Sequence, residues 1–210
     1  MEQLSYKYEI VLNLLKKENH LRQIARDLKT NHMTIKRVLN QLLKEKVVDV
    51  REEGKNNVYS IKTTLEAESM VYRAEHYKFT KLLRKHPELK LNIKSLKKLP
   101  VNLIIIFGSY AIGREKDKSD IDIYIETENR KIKEAALNIN ENFSVKIGKY
   151  SKESILIREI EDYHIIIKGV ERFYEKNKFF KTIMEGGGKL NLLSLMKKLK
   201  KDIVLNLMKH

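Results

Sequence analysis

The sequence predicts an α+β chain in four segments: helices closed by a hairpin (1–63), a helical connector (64–100), a small mixed sheet with helices (101–176), and a C-terminal amphipathic helix (177–210). Three observations predict it. Apolar residues recur at helical spacing as far as Leu42 and then alternate across a hairpin. From Val101 onward, strand-length apolar runs take turns with amphipathic stretches. The breaker Gly186-Gly187-Gly188 then precedes a last helical stripe.

Tyr8, Val11, Leu12 and Leu15 share a helical face, giving a first helix that ends near Asn19. Leu21, Ile24, Ala25 and Leu28 define a short second helix. Asn31 is placed to cap a third, with the stripe Ile35, Val38, Leu39 and Leu42. Val47 to Val50 and Val58 to Ile61 form strands around a turn at 52–57, where Gly54 and two asparagines suit positive φ. This order resembles the winged helix-turn-helix of bacterial and archaeal regulators, although Lys46 stands where a glycine commonly precedes the wing. The resemblance implies DNA binding. His32, Thr34, Lys36, Arg37, Asn40 and Gln41 are read as the outward face of the third helix, and Arg51 and Lys55 as wing residues over flanking phosphates. A protein-docking module is the alternative.

Residues 64–86 read as one helix with Leu65, Met70 (or Val71), Ala74, Tyr77 and Leu82 on its stripe, stopped by His86-Pro87. A basic helix from Glu88 to Leu99 follows. The connector is read as a dimerisation element or as a helix packed on the next domain. The apolar run Val101 to Phe107 is a buried strand, and 119–126 another. Arg130 to Asn142 is a helix and Phe143 to Gly148 a strand; Ser151 caps a helix running to Glu161. His164 to Gly169 and Val170 to Tyr174 close the domain as strand and turn, with helices on one side of the sheet. Beyond the triple glycine, Leu192, Leu195, Met196, Leu199, Ile203 and Leu207 oppose four lysines, a stripe that suits docking.

The chemistry lies between the first two strands of that sheet. Gly108-Ser109 follows a buried strand directly, and its backbone N–H groups suit a phosphate. Ten residues later, Asp120 and Asp122 put two carboxylates on one face of a strand whose other face is Ile121, Ile123 and Ile125. Paired carboxylates suit a hard divalent cation that keeps places for phosphate oxygens. Gly-Ser, this spacer and Asp-Ile-Asp-Ile resemble the nucleotidyltransferase superfamily in its minimal form, with a polymerase-β-type palm. The resemblance implies that Asp120 and Asp122 are catalytic and hold Mg²⁺ (or Mn²⁺). Gly108 and Ser109 would anchor an NTP, above all ATP, assisted by Arg114 and Lys116 on the spacer. It further implies transfer of a nucleoside monophosphate such as AMP to a protein or small acceptor. Related minimal members often act as antitoxins that modify a partner toxin. Such enzymes place a third carboxylate on the strand after the intervening helix; here the equivalent triplet is Val145-Lys146-Ile147. The alternative is a transcriptional regulator whose transferase fold only binds nucleotide.

Composition fits this reading. The net charge of +15 divides into +5 for 1–63, +5 for 64–100, −1 for 101–176 and +6 for 177–210. The excess surrounds the carboxylate motif rather than sharing its segment, as expected for a surface that attracts polyanions such as DNA. The absence of cysteine excludes disulfides and thiolate metal sites. No apolar run approaches the ~18 residues of a membrane span, so the sequence-level expectation is a cytoplasmic protein, with a homodimer suiting two DNA half-sites.

Overall fold

Amphipathic spacing in the first 44 residues closes into three helices, α1 (Glu2–Lys16), α2 (Leu21–Asp27) and α3 (His32–Lys44). The computed structural model describes residues 2–54, 56–116 and 119–180. Asn31 caps α3 as its sequence position suggests, accepting a hydrogen bond from Thr34 N at 2.8 Å. Ile35, Val38, Leu39 and Leu42 are all buried. Strands β1 (Asn19–His20), β2 (Val48–Glu53) and β3 (Asn56–Ile61) form a three-stranded sheet in the order β1-β3-β2. The hairpin is longer than expected, pairing down to Glu53 with Asn56 around Gly54 at φ +61°. Lys46, at the position where a glycine is common, takes a left-handed conformation (φ +58°) that costs a side-chain-bearing residue energy.

Helix α4 (Leu65–Lys85) begins at Thr64, whose hydroxyl accepts from Ala67 N at 3.2 Å, and ends before Pro87. Met70, Val71, Ala74 and Leu82 are buried on it. Leu65 departs from the expected stripe: it is 80% exposed, about half a turn around the helix from buried Ala67 and Ala74. Residues 88–99 do not form one helix. A 3-10 turn at Pro87–Leu89 precedes α5 (Lys90–Lys97).

A second sheet has the order β6-β5-β4-β7, from β4 (Ile104–Ile106), β5 (Ile121–Glu126), β6 (Phe143–Gly148) and β7 (Ile165–Lys168). Only β5 and β6 run parallel, joined by α7 (Arg130–Leu137). Ile104, Ile106, Ile121, Ile123, Ile125, Val145, Ile165 and Ile167 pack with Leu89, Ile93 and Leu96 in one core. The opposite face is also covered, which corrects the one-sided expectation. Ile105, Tyr124 and Ile166 are buried there, and Glu126 bonds to Arg172 of α9 (Val170–Asn177). The expected strand at His164 to Gly169 is present as β7, and this helix replaces the expected turn at Val170 to Tyr174: Gly169 (φ +84°) ends β7, and Val170, Phe173 and Tyr174 then bury at helical spacing. Ser151 is not the cap of α8 (Ile155–Asp162); Ser154 precedes that helix, and the Ser151 carbonyl accepts from Ser154 N.

Residues 1–177 make one compact unit, which ends before Lys178. The triple glycine and the apolar stripe beyond it lie outside the described residues. Among the described residues, no helix is long and apolar enough to cross a membrane.

Candidate functional site

The two halves of the Gly-Ser and Asp-x-Asp motif meet at one end of the second sheet. Strand β4 delivers Phe107, whose N–H donates to Asp122 O at 3.0 Å and extends the ladder by one step. The chain then turns into the short helix α6 (Gly108–Ile112). Gly108 sits at φ +66°, and a Cβ there would fall against Asp122 Oδ2 and 3.2 Å from Cγ. Glycine is required twice over, by conformation and by the close approach of the carboxylate. Asp122 is half-buried inside β5, whereas Asp120 is exposed just ahead of the strand, so the pair straddles the strand's first residue rather than lying within it.

The described part of the spacer begins inside α6 and is held by local hydrogen bonds. Gly113 closes α6 in a left-handed conformation (φ +76°), and Arg114 N donates to Ser109 O at 3.0 Å. Ser119 closes a second turn, its Oγ accepting from Lys116 N at 2.9 Å. Arg114 and Lys116 are exposed and have no ion-pair partner among the described residues. Ser109 is half-exposed at the start of α6.

Between these turns lies Glu115, whose side chain is only 6% exposed and bonds to Lys85 and to His86 Nε2 (2.8 Å). Burial would raise its pKa, but these partners and a backbone hydrogen bond outweigh it and hold the carboxyl below the usual range. His86 also stacks near Tyr110, with ring centroids 5.0 Å apart. The loop is thereby anchored to the end of α4, beside a cavity of about 490 Å³ lined by Lys81, Lys85, Tyr110 and Gly113. Sequence inspection does not single out Glu115, because its partners lie about thirty residues away and form no local pattern.

On the neighbouring strand, Ser144 stands opposite Asp122 and Lys146 opposite Tyr124. Among the described residues, no group of three histidine, cysteine, aspartate or glutamate side chains is placed to hold a metal ion. Asp120 and Asp122 are two oxygen donors of the kind that a hard divalent cation takes.

On α3, His32, Lys36, Arg37 and Asn40 are exposed, and none of the three basic side chains is ion-paired among the described residues. Thr34 and Gln41 are half-buried, and Gln41 Oε1 is buried without a hydrogen-bond partner. Arg51 pairs with Glu18 and Glu53, so its charge is largely neutralised. Lys55 lies outside the described residues.

Residues 90–179 match the family model described as Polymerase beta, Nucleotidyltransferase. This segment is a polymerase-β-like nucleotidyltransferase domain. A 46-residue stretch is 54% identical to the Methanocaldococcus jannaschii protein named "Putative protein adenylyltransferase MJ1215", covering 21% of this chain. The match spans 46% of that relative, under half its length. A solved structure titled "Crystal structure of the toxin-antitoxin with AMP-PNP" aligns over 63% of this chain and 97% of its own, at 18% identity and a TM-score of 0.31. At that score the likeness adds nothing to the assignment of the fold.

Proposed function

We propose that the nucleotidyltransferase domain transfers a nucleoside monophosphate, AMP from ATP, to an acceptor on a partner protein. The observation that carries this reading is the Asp122 carboxylate seated against the Gly108 backbone, which joins the phosphate-binding and acidic halves of the motif. The adenylyltransferase name of the M. jannaschii relative supports AMP as the group and protein as the acceptor. Asp120 and Asp122 would hold a magnesium or manganese ion, which when bound supplies charge neutralisation for the departing pyrophosphate. Gly108 N–H and the Ser109 hydroxyl orient the phosphates, and Arg114 and Lys116 add positive charge from the loop. The acceptor oxygen bonds to the α-phosphorus as the bond to the bridging oxygen breaks; pyrophosphate leaves and the acceptor proton passes to solvent. Incubation with labelled ATP and Mg²⁺ tests the proposal. Label should reach an acceptor with the wild type and be lost with Asp120→Asn plus Asp122→Asn; no transfer with any of the four NTPs refutes it. Nucleotide binding without transfer would favour a regulator that uses the fold as a sensor.

A second reading concerns residues 1–63. Their three helices and hairpin have the order of a winged helix-turn-helix, and the exposed, unpaired His32, Lys36 and Arg37 with Asn40 suit phosphates and base edges. Lys36→Ala with Arg37→Ala should weaken DNA binding and reduce its salt slope by about 2 if both reach phosphates. An unchanged slope would place any DNA on another surface.

A further inference from the structure

Resting on the reading of Asp120 and Asp122 as a nucleotide–metal site, we propose that Lys146 is a ligand of the triphosphate. Its ammonium takes the place of a second divalent cation, so the site loads one metal ion per nucleotide. Strand geometry carries the first part of the argument. In the parallel pair of β5 and β6, Asp122 lies opposite Ser144 and Tyr124 opposite Lys146. Alternation therefore puts Asp122, Ser144 and Lys146 on one face, while Ile123 and Val145 enter the core on the other. Ser144 is small, and Tyr124, which shares that face opposite Lys146, sends its hydroxyl to Gly148 O at 2.9 Å, toward the end of the strands away from Asp122.

Charge carries the second part. Lys146 is exposed between buried Val145 and half-buried Ile147, and it has no ion-pair partner among the described residues. Three lysines nearby are engaged: Lys149 with Glu128, Lys176 with Glu126, Lys168 with the carbonyls of Lys97 and Leu99. A free ammonium beside a lone pair of carboxylates repels a second dication and attracts the phosphate oxygens that the first leaves uncompensated. The missing third acid donor points the same way.

The test counts metal ions. Wild-type protein saturated with AMP-PNP should bind one Mn²⁺ per nucleotide by electron paramagnetic resonance titration, and Lys146→Asp, which supplies a carboxylate, should bind two. Lys146→Ala should weaken AMP-PNP by about tenfold, the loss of one charge-assisted contact, while AMP, which lacks the outer phosphates, changes less than about twofold. Lys146→Arg should retain AMP-PNP binding. Should Lys146→Asp fail to fold by circular dichroism, the AMP-PNP to AMP affinity ratio of Lys146→Ala decides alone. Two Mn²⁺ in the wild type, or equal weakening of AMP-PNP and AMP, overturns the assignment. AMP-PNP binding with one Mn²⁺ but no AMP transfer would sink the transferase reading and leave Lys146 in its role. Failure of the wild type to bind AMP-PNP would overturn both.

Discussion

Replacing Gly108 with alanine separates two costs that usually arrive together. Gly108 (φ +66°) and Gly113 (φ +76°) are both left-handed, so alanine at either position pays a backbone penalty of about 1–2 kcal/mol. Only at Gly108 does the new methyl meet anything: it collides with Asp122 Oδ2, whereas nothing lies within 4 Å of the corresponding point at Gly113. Both variants should therefore lose thermal stability by a similar amount, roughly 2–8 °C for a domain of this size. Only Gly108→Ala should displace the carboxylate, weakening Mn²⁺-dependent AMP-PNP binding by about 10–100-fold, as disturbed metal-site geometry does. Thermal circular dichroism and isothermal titration calorimetry with AMP-PNP and Mn²⁺ read the two effects separately. Wild-type affinity in Gly108→Ala, or an equal loss in Gly113→Ala, would refute the claim that Gly108 exists to seat Asp122.

Two further outcomes follow from strain and buried charge. Lys46→Gly should stabilise the protein by about 0.5–1 kcal/mol, because Lys46 holds φ +58° that glycine adopts freely; a denaturant melt checks it. Glu75 is 1% exposed and bonds Lys78 at 2.7 Å, His164 Nε2 at 3.3 Å and Tyr174 OH at 3.0 Å. Burial would raise its pKa, yet Lys78 and His164 bring it down to about 2 from 4.5. The depressed folded value means that its contribution is complete above about pH 4.5 and is lost as pH falls toward 2, a change on the order of 3 kcal/mol. Glu75→Gln should destabilise at neutral pH by about 3 kcal/mol and flatten this acid limb in urea melts taken from pH 6 to pH 2.

The sequence was most legible where one periodicity ran without competition. Ile35, Val38, Leu39 and Leu42 with the Asn31 cap, and the alternation from Phe143 to Gly148, came through because local spacing and burial agree. It misled at element ends. Leu65 was placed on the α4 stripe but lies on the opposite side of the helix from buried Ala67, and Val170 to Tyr174 was read as a turn although Val170, Phe173 and Tyr174 have helical spacing. Burial of Glu75 and the Glu115 anchor could not be read at all. The Glu115 anchor depends on Lys85 and His86, and Glu75 adds His164 and Tyr174, both distant in sequence, to its neighbour Lys78. At the candidate site, the motif itself was visible, but the register that sets Ser144 rather than Lys146 opposite Asp122 required the paired strands.

Helix α4 has a consequence for how the chain unfolds. It lies along α1, where Tyr77 stacks on Tyr8 at 5.2 Å and shares hydrogen bonds with Ser5 and Glu9, while Leu82 is buried with the sheet. One rod is thus a wall of both the N-terminal helices and the nucleotidyltransferase core, and neither can shed it without opening an apolar seam. Amide hydrogen exchange should accordingly find no stable half-folded species within residues 1–177, and the amides of α4 should exchange only with the global transition. Proteins built as beads on a string can lose one bead; residues 1–177 stand or fall as a single cooperative body.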